Sequence, residues 1–232
     1  MRNPLFPILM SAAMLASCAE QYVVNGSSNV EGLEGKTLYL KVFAGEDMRA
    51  IDSSRVVHGK FRFRGVLDSV TMANVFVDDT SVMPVVLESG EVSLNIGEST
   101  QSATGTPMND SLSQFIQRKT QIDAQMAELP HLESQMIMDG ISLDQINVEL
   151  GAKARALNDE NDRLVSRFIS SNYENVLGPG IFMIMTSALQ YPILNPKIEA
   201  IISQAPPYFL NHPYVREYIK AAESNMEKMH DY

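Results

Sequence analysis

A chain of 232 residues, 45% of them hydrophobic and 20% charged, can build one large packed domain or two small ones, which excludes a disordered or fibrous protein. Eighteen Lys and Arg against 28 Asp and Glu give a net charge of −10 with no basic run, so nucleic acid is excluded as a partner. A single Cys excludes an intramolecular disulfide, a CxxC redox pair and any multi-thiolate zinc or iron–sulfur site.

Arg2 precedes an apolar, uncharged run over residues 4–16, the length of a signal-peptide core and too short to span a bilayer. The run closes on Leu15, Ala16, Ser17 and Cys18, which resembles the lipobox of bacterial lipoproteins, where the Cys thiol takes diacylglycerol before cleavage. Residues 1–17 then form the signal peptide and Cys18 begins the mature chain as its lipid-attachment residue. A buried Cys acting as a small hydrophobe is the plainer alternative, but Cys18 sits where the signal peptide has to end. Two or three acyl chains, palmitate among them, make a stable anchor where one chain would not. Loss of Arg2 leaves 17 basic against 28 acidic side chains, a net of −11, so an anionic membrane repels the body everywhere except at its tether.

From Tyr22 to about Ile96 the apolar residues alternate with period two, punctuated by Gly, Asp, Asn and Ser every eight to twelve residues, which predicts consecutive antiparallel strands. Leu38, Leu40 and Val42 mark an inward face between Tyr39 and Lys41. Phe61 and Phe63 alternate with Lys60, Arg62 and Arg64, beyond a turn at His58-Gly59. Val85 to Leu87, a turn at Glu88-Ser89-Gly90-Glu91, then Val92, Leu94 and Ile96 predict a hairpin. Strands of this number and length close as a β-sandwich or partial barrel over residues 18–105.

After Gly105-Thr106-Pro107 the period becomes helical, and residues 106–232 read as an all-α region of five helices packed on the β domain. The first is capped by Asn109 or Asp110, carries Leu112, Phe115, Ile116, Ile122 and Met126, and ends before Pro130. Ser142 and Gln145 form a capping-box pattern opening a second helix to about Asn172. Gly178-Pro179-Gly180 opens a buried helix over 181–189, and Asn195-Pro196 and His212-Pro213 open the last two. The fold class is α+β.

No residue is assigned a catalytic, cofactor-binding or metal-ligating role. His58 suits a hairpin turn, His131 follows a helix-stopping Pro, His212 caps a helix, and His230 sits in a last helical turn. No G-x-S-x-G elbow, GxGxxG or P-loop occurs. Met136, Met138, Met183 and Met185 could in principle bind Cu(I), but their helical spacing among Ile and Phe reads as core. Asp78-Asp79 reads as a turn and Asp159, Glu160 and Asp162 as a solvated helix face rather than a calcium loop. Tyr208, Phe209, Tyr214 and Tyr218 read as a packing elbow between helices.

The lipobox, the strand Val57-His58-Gly59-Lys60-Phe61-Arg62-Phe63-Arg64-Gly65 after Ile51-Asp52-Ser53, and Gly105-Thr106-Pro107-Met108-Asn109-Asp110 resemble the domain of unknown function 4369. That domain forms the N-terminal part of lipoproteins of Bacteroides-type bacteria and often precedes a thioredoxin-like domain of the thiol:disulfide interchange class. Asn172-Tyr173-Glu174-Asn175 and Asn211-His212-Pro213 are similar to the helical segment that follows it. The resemblance implies a lipid-anchored β-plus-helix module of the envelope. With no CxxC, and with the chain ending at Tyr232, the redox activity of the longer relatives does not carry over. The expectation is a non-enzymatic lipoprotein, held on a membrane through Cys18 and facing the periplasm from the outer membrane. It would act as a binding or scaffolding module with an envelope protein partner, its ligand and oligomeric state unassigned. The rivals are an accessory to a separate thioredoxin-like protein and an unrecognised hydrolase.

Overall fold

The computed structural model describes residues 21–44, 47–98 and 100–230. Eight strands follow in chain order: β1 (Gln21–Ser28), β2 (Thr37–Ala44), β3 (Asp47–Arg55), β4 (Lys60–Val66), β5 (Thr71–Val77), β6 (Thr80–Leu87), β7 (Gly90–Ile96) and β8 (Gln101–Thr104). They form two four-stranded sheets, ordered β4-β1-β7-β8 and β3-β2-β5-β6, stacked as a sandwich. The period-two alternation puts Leu38, Leu40, Val42, Phe61, Phe63, Val75, Val85, Val92 and Leu94 into one dry core between the sheets. Lys60, Arg62 and Arg64 face water, as their spacing predicts.

Two expectations about strand pairing are corrected. Residues 85–96 do not form a hairpin: β6 and β7 lie in different sheets, and the chain crosses the sandwich at Glu88-Ser89. Leu87 and Val92 still point into the same core, so alternation alone cannot tell a hairpin from a crossing. Nor is every neighbour antiparallel, because β1 and β7 pair in parallel, Val24 opposite Val92, after the whole second sheet has intervened. One side of the sandwich is laced shut by side chains. Ser54 Oγ of β3 accepts from the Arg62 amide at 3.0 Å, and Asp52 Oδ2 accepts from the Arg64 amide at 3.0 Å, which covers two backbone donors on the edge of β4.

Seven helices, not five, follow among the described residues: α1 (Pro107–Ala127), α2 (Leu129–Met138), α3 (Leu143–Ser171), α4 (Leu177–Ser187), α5 (Pro196–Ser203), α6 (Pro207–Leu210) and α7 (Pro213–His230). Pro130 does not stop the chain in a loop; it occupies the first turn of α2, where a missing N–H costs nothing, and Glu128 bridges α1 and α2 in helical geometry. Likewise Gly178-Pro179-Gly180 lies inside the first turn of α4 rather than before it. Ser142 caps α3 by accepting from the Gln145 amide, and Asn195 caps α5 by accepting from the Ile198 amide.

The helices form a second core against the outer face of the β3-β2-β5-β6 sheet. Met72 and Val86 from that sheet join Leu112, Phe115, Val165, Ile169, Ile181, Phe182, Phe209, Val215 and Tyr218. Gly180 explains how closely α4 approaches: a Cβ built there falls 2.0 Å from Met72 Sδ.

Candidate functional site

Cys18, the one assigned site residue, lies outside the described residues. Two residues, Ala19 and Glu20, separate it from β1, whose first residue pairs with Val66 and whose second pairs with Gly90. Whatever holds Cys18 therefore holds this end of the sandwich.

The joint between the two halves is a buried polar clasp at the same end. Glu88, 8% exposed, aims its carboxylate at the start of α1, where Oε1 accepts from the Met108 amide at 3.0 Å and the Asn109 amide at 3.3 Å. Asn109, fully buried, bonds the Val86 backbone twice, Oδ1 accepting from the amide at 2.9 Å and Nδ2 donating to the carbonyl at 2.8 Å. The same Nδ2 also donates to Thr106 Oγ1 at 2.8 Å. This corrects the cap reading: the backbone N-cap is Thr106, Asn109 sits inside the first turn with its side chain on β6, and Glu88 satisfies the orphan amides. No local pattern announces this, because Glu88 reads as a turn residue and Asn109 as a cap.

Beyond the clasp, α1 runs along the free edge of β8. Ser113 closes that edge at Ala103, its Oγ accepting from the amide at 2.8 Å and donating to the carbonyl at 2.6 Å, and Asp110 accepts from the Gly105 amide at 3.0 Å. Next to this seam lies a half-open groove of about 750 Å³. Gln101, Ser102 and Thr104 line it from the strand, and Gln114, Gln117 and Gln121 from the helix, with Ile116 as its apolar patch. Glu98 and Asp110 add two carboxylates to these amides and hydroxyls, so the groove is polar and acidic and suits a ligand rich in hydrogen-bond donors.

A smaller pocket of about 160 Å³ opens where β2 and β5 meet the helices, lined by Phe43, Met72, Pro179, Met183, His212 and Tyr214. His212 Nδ1 is buried there without a protein hydrogen-bond partner, and desolvation pushes the imidazole below its ordinary value of 6.5, so the ring is neutral at pH 7.

The remaining residues fall as follows. His58 and Gly59 form a two-residue turn with φ of 51° and 67°, bridged by Val57 and Lys60. Glu34 clamps it, its two carboxylate oxygens each accepting a 2.9 Å bond from the His58 and Gly59 amides; these bonds, Gly59 first, hold Glu34 below the usual carboxylate range. His131 is exposed within α2, not beyond a stop, and His230 ends α7. Met136 and Met183 are buried in different places, Met185 is half-buried and Met138 is exposed. Asp78 turns the chain at φ 52° beside Lys36. Glu160 pairs with Arg118 of α1 and Asp162 with Lys197 of α5, so both ion pairs bridge α3 to a neighbouring helix. Phe209 packs edge-on against Tyr173 and Phe182, and Phe182 against Tyr218, which puts Phe209 and Tyr218 of the elbow in the core, with Tyr214 half-buried and Tyr208 exposed. Among the described residues no three His, Cys, Asp or Glu side chains gather as a metal site requires, and no helix is long and apolar enough to cross a membrane.

Residues 22–112 match the model of a family described as a domain of unknown function, DUF4369. The match covers the sandwich and extends into α1 as far as Leu112, so it contains both halves of the Glu88–Asn109 clasp. No curated protein matches the chain.

Proposed function

From a chain that carries a DUF4369 domain over residues 22–112, we propose a lipid-anchored lipoprotein of the cell envelope that acts as a non-enzymatic binding or scaffolding module. It sits on the outer membrane, faces the periplasm, and presents the groove between β8 and α1 to its partner. One observation supports this reading above the others: Cys18 closes the apolar run 4–16 after Leu15, Ala16 and Ser17, and β1 starts at Gln21. Three residue steps reach at most about 10 Å, so an acylated Cys18 brings the Gln21 end of the sandwich to the headgroups. The seam along β8 then fixes α1 and its row of Gln side chains as a rigid wall rising from that base. Mass spectrometry of the N-terminal peptide from native membranes is expected to show acyl chains on Cys18. Cys18→Ser is expected to move the protein into the soluble fraction. An unmodified thiol on a membrane-associated chain would overturn the proposal.

A further inference from the structure

The helical region holds a cationic groove that the reading above does not use. Phe115 of α1 stacks on Phe168 of α3, ring centroids 4.3 Å apart and 31° from parallel, and this contact fixes the separation of the two helices. Beside the stack an open groove of about 470 Å³ is lined by Arg118 from α1 and by Arg163 and Arg167 from α3, with the Ser111 and Ser171 hydroxyls at its rim. Its single carboxylate, Glu160, is taken by Arg118. Among the described residues, neither Arg163 nor Arg167 has a carboxylate within ion-pair distance. Three guanidinium groups and one carboxylate leave the groove at about +2 in a chain whose net charge is −10.

Arg163 and Arg167 stand four residues apart on one helix face, an arrangement that repels itself and weakens an isolated helix. The arrangement becomes favourable when an anion sits between the two. Guanidinium groups present planar pairs of N–H donors that match the oxygens of phosphate bidentately, and a phosphomonoester near −2 at neutral pH would neutralise the groove. We propose that the α1–α3 groove is a binding site for a phosphate group, held by Arg163 and Arg167 with Arg118 turning between Glu160 and the ligand. The same doubly ionised phosphate is offered by inorganic phosphate and by the monoester headgroup of a phosphatidate lipid.

The test uses the full mature chain, with inorganic phosphate as probe against chloride at equal ionic strength. Phosphate is expected to raise the melting temperature and to give saturable heat in a calorimetric titration. The double variant Arg163→Gln/Arg167→Gln is expected to lose the phosphate-dependent shift and to bind at least tenfold more weakly, while melting in chloride at or above the parent temperature because a repulsion has been removed. No phosphate effect in the parent, or an undiminished shift in the double variant, would overturn the proposal. A double variant that melts lower in chloride yet keeps its phosphate response would show that these arginines are structural and would also overturn it. Glycerol 3-phosphate, run in parallel, assigns the source: binding tighter than inorganic phosphate supports the site as a headgroup site, and equal binding supports it as a site for free phosphate.

Discussion

His212 illustrates how one side chain takes its properties from elements far apart in sequence. Its amide donates to the Phe209 carbonyl and its carbonyl accepts from the Arg216 amide, so the backbone is satisfied while the half-buried residue lines a small pocket with Phe43, Met72 and Tyr214. Burial lowers its pKa, so between that value and 6.5 the unfolded chain binds more protons than the folded one. Stability therefore falls as pH drops through the ordinary histidine value, and the loss levels off below the folded one. Urea denaturation from about pH 7.5 to about pH 5 is expected to show a shallower loss for His212→Gln than for the parent; equal slopes would refute a desolvated imidazole. The helix start at Pro213 was legible from His212-Pro213, though the His212 side chain makes no cap bond, and the turn at His58 was legible from the Gly after it. The buried ring was not, because its walls come from β2, β5 and α4. Glu88 and Asn109 were illegible for the same reason: 21 positions apart, each has an ordinary local explanation that its partner overrides.

Helix α4 approaches β5 closely at one point, and the contact rests on a residue without a side chain. Gly178-Pro179-Gly180 reads in sequence as punctuation before a helix, since Gly and Pro break helices on propensity alone. Tertiary packing reverses that. Pro179 is tolerated in the first turn, a Cβ on Gly178 would lie 2.4 Å from the Asn172 carbonyl oxygen, and one on Gly180 would strike Met72. Gly180→Ala should destabilise the protein by about 1–3 kcal/mol, the usual penalty for overpacking. Met72→Ala alone should cost about 2–5 kcal/mol by opening a cavity. If the Gly180–Met72 contact sets the distance between helix and sheet, the double variant will lose less than the sum of the two, as read from denaturant midpoints; strict additivity would show that the two residues do not touch. Strand faces were readable because period two survives any pairing. Sheet membership was not, so the crossing at Glu88-Ser89 reads as a hairpin from its alternation alone.

At the scale of the whole molecule the question is whether the sandwich and the helices are separable, given that the family match stops at Leu112. The α+β class and the change of period at Gly105-Thr106-Pro107 were legible, since a linker would be longer and richer in Gly and Ser. The structure adds that Thr106 is buried, that Asp110 holds the Gly105 amide, and that Val86, fully buried, belongs to the helical core rather than to the sandwich. A piece ending at Leu112 would leave Met72 and Val86 exposed on an open sheet face, and Ser113 would no longer cover the Ala103 edge. The mature chain is therefore expected to unfold in one transition, with helix loss by far-ultraviolet circular dichroism coinciding with tyrosine fluorescence, which no Trp obscures. Protease should find no early cut near residue 106, and a fragment over residues 18–112 should associate or stay unfolded at concentrations where the whole chain is monodisperse. A fragment that folds as a stable monomer, or helices that melt before the strands, would make the clasp at Glu88 and Asn109 a contact between independent domains rather than the centre of one cooperative unit.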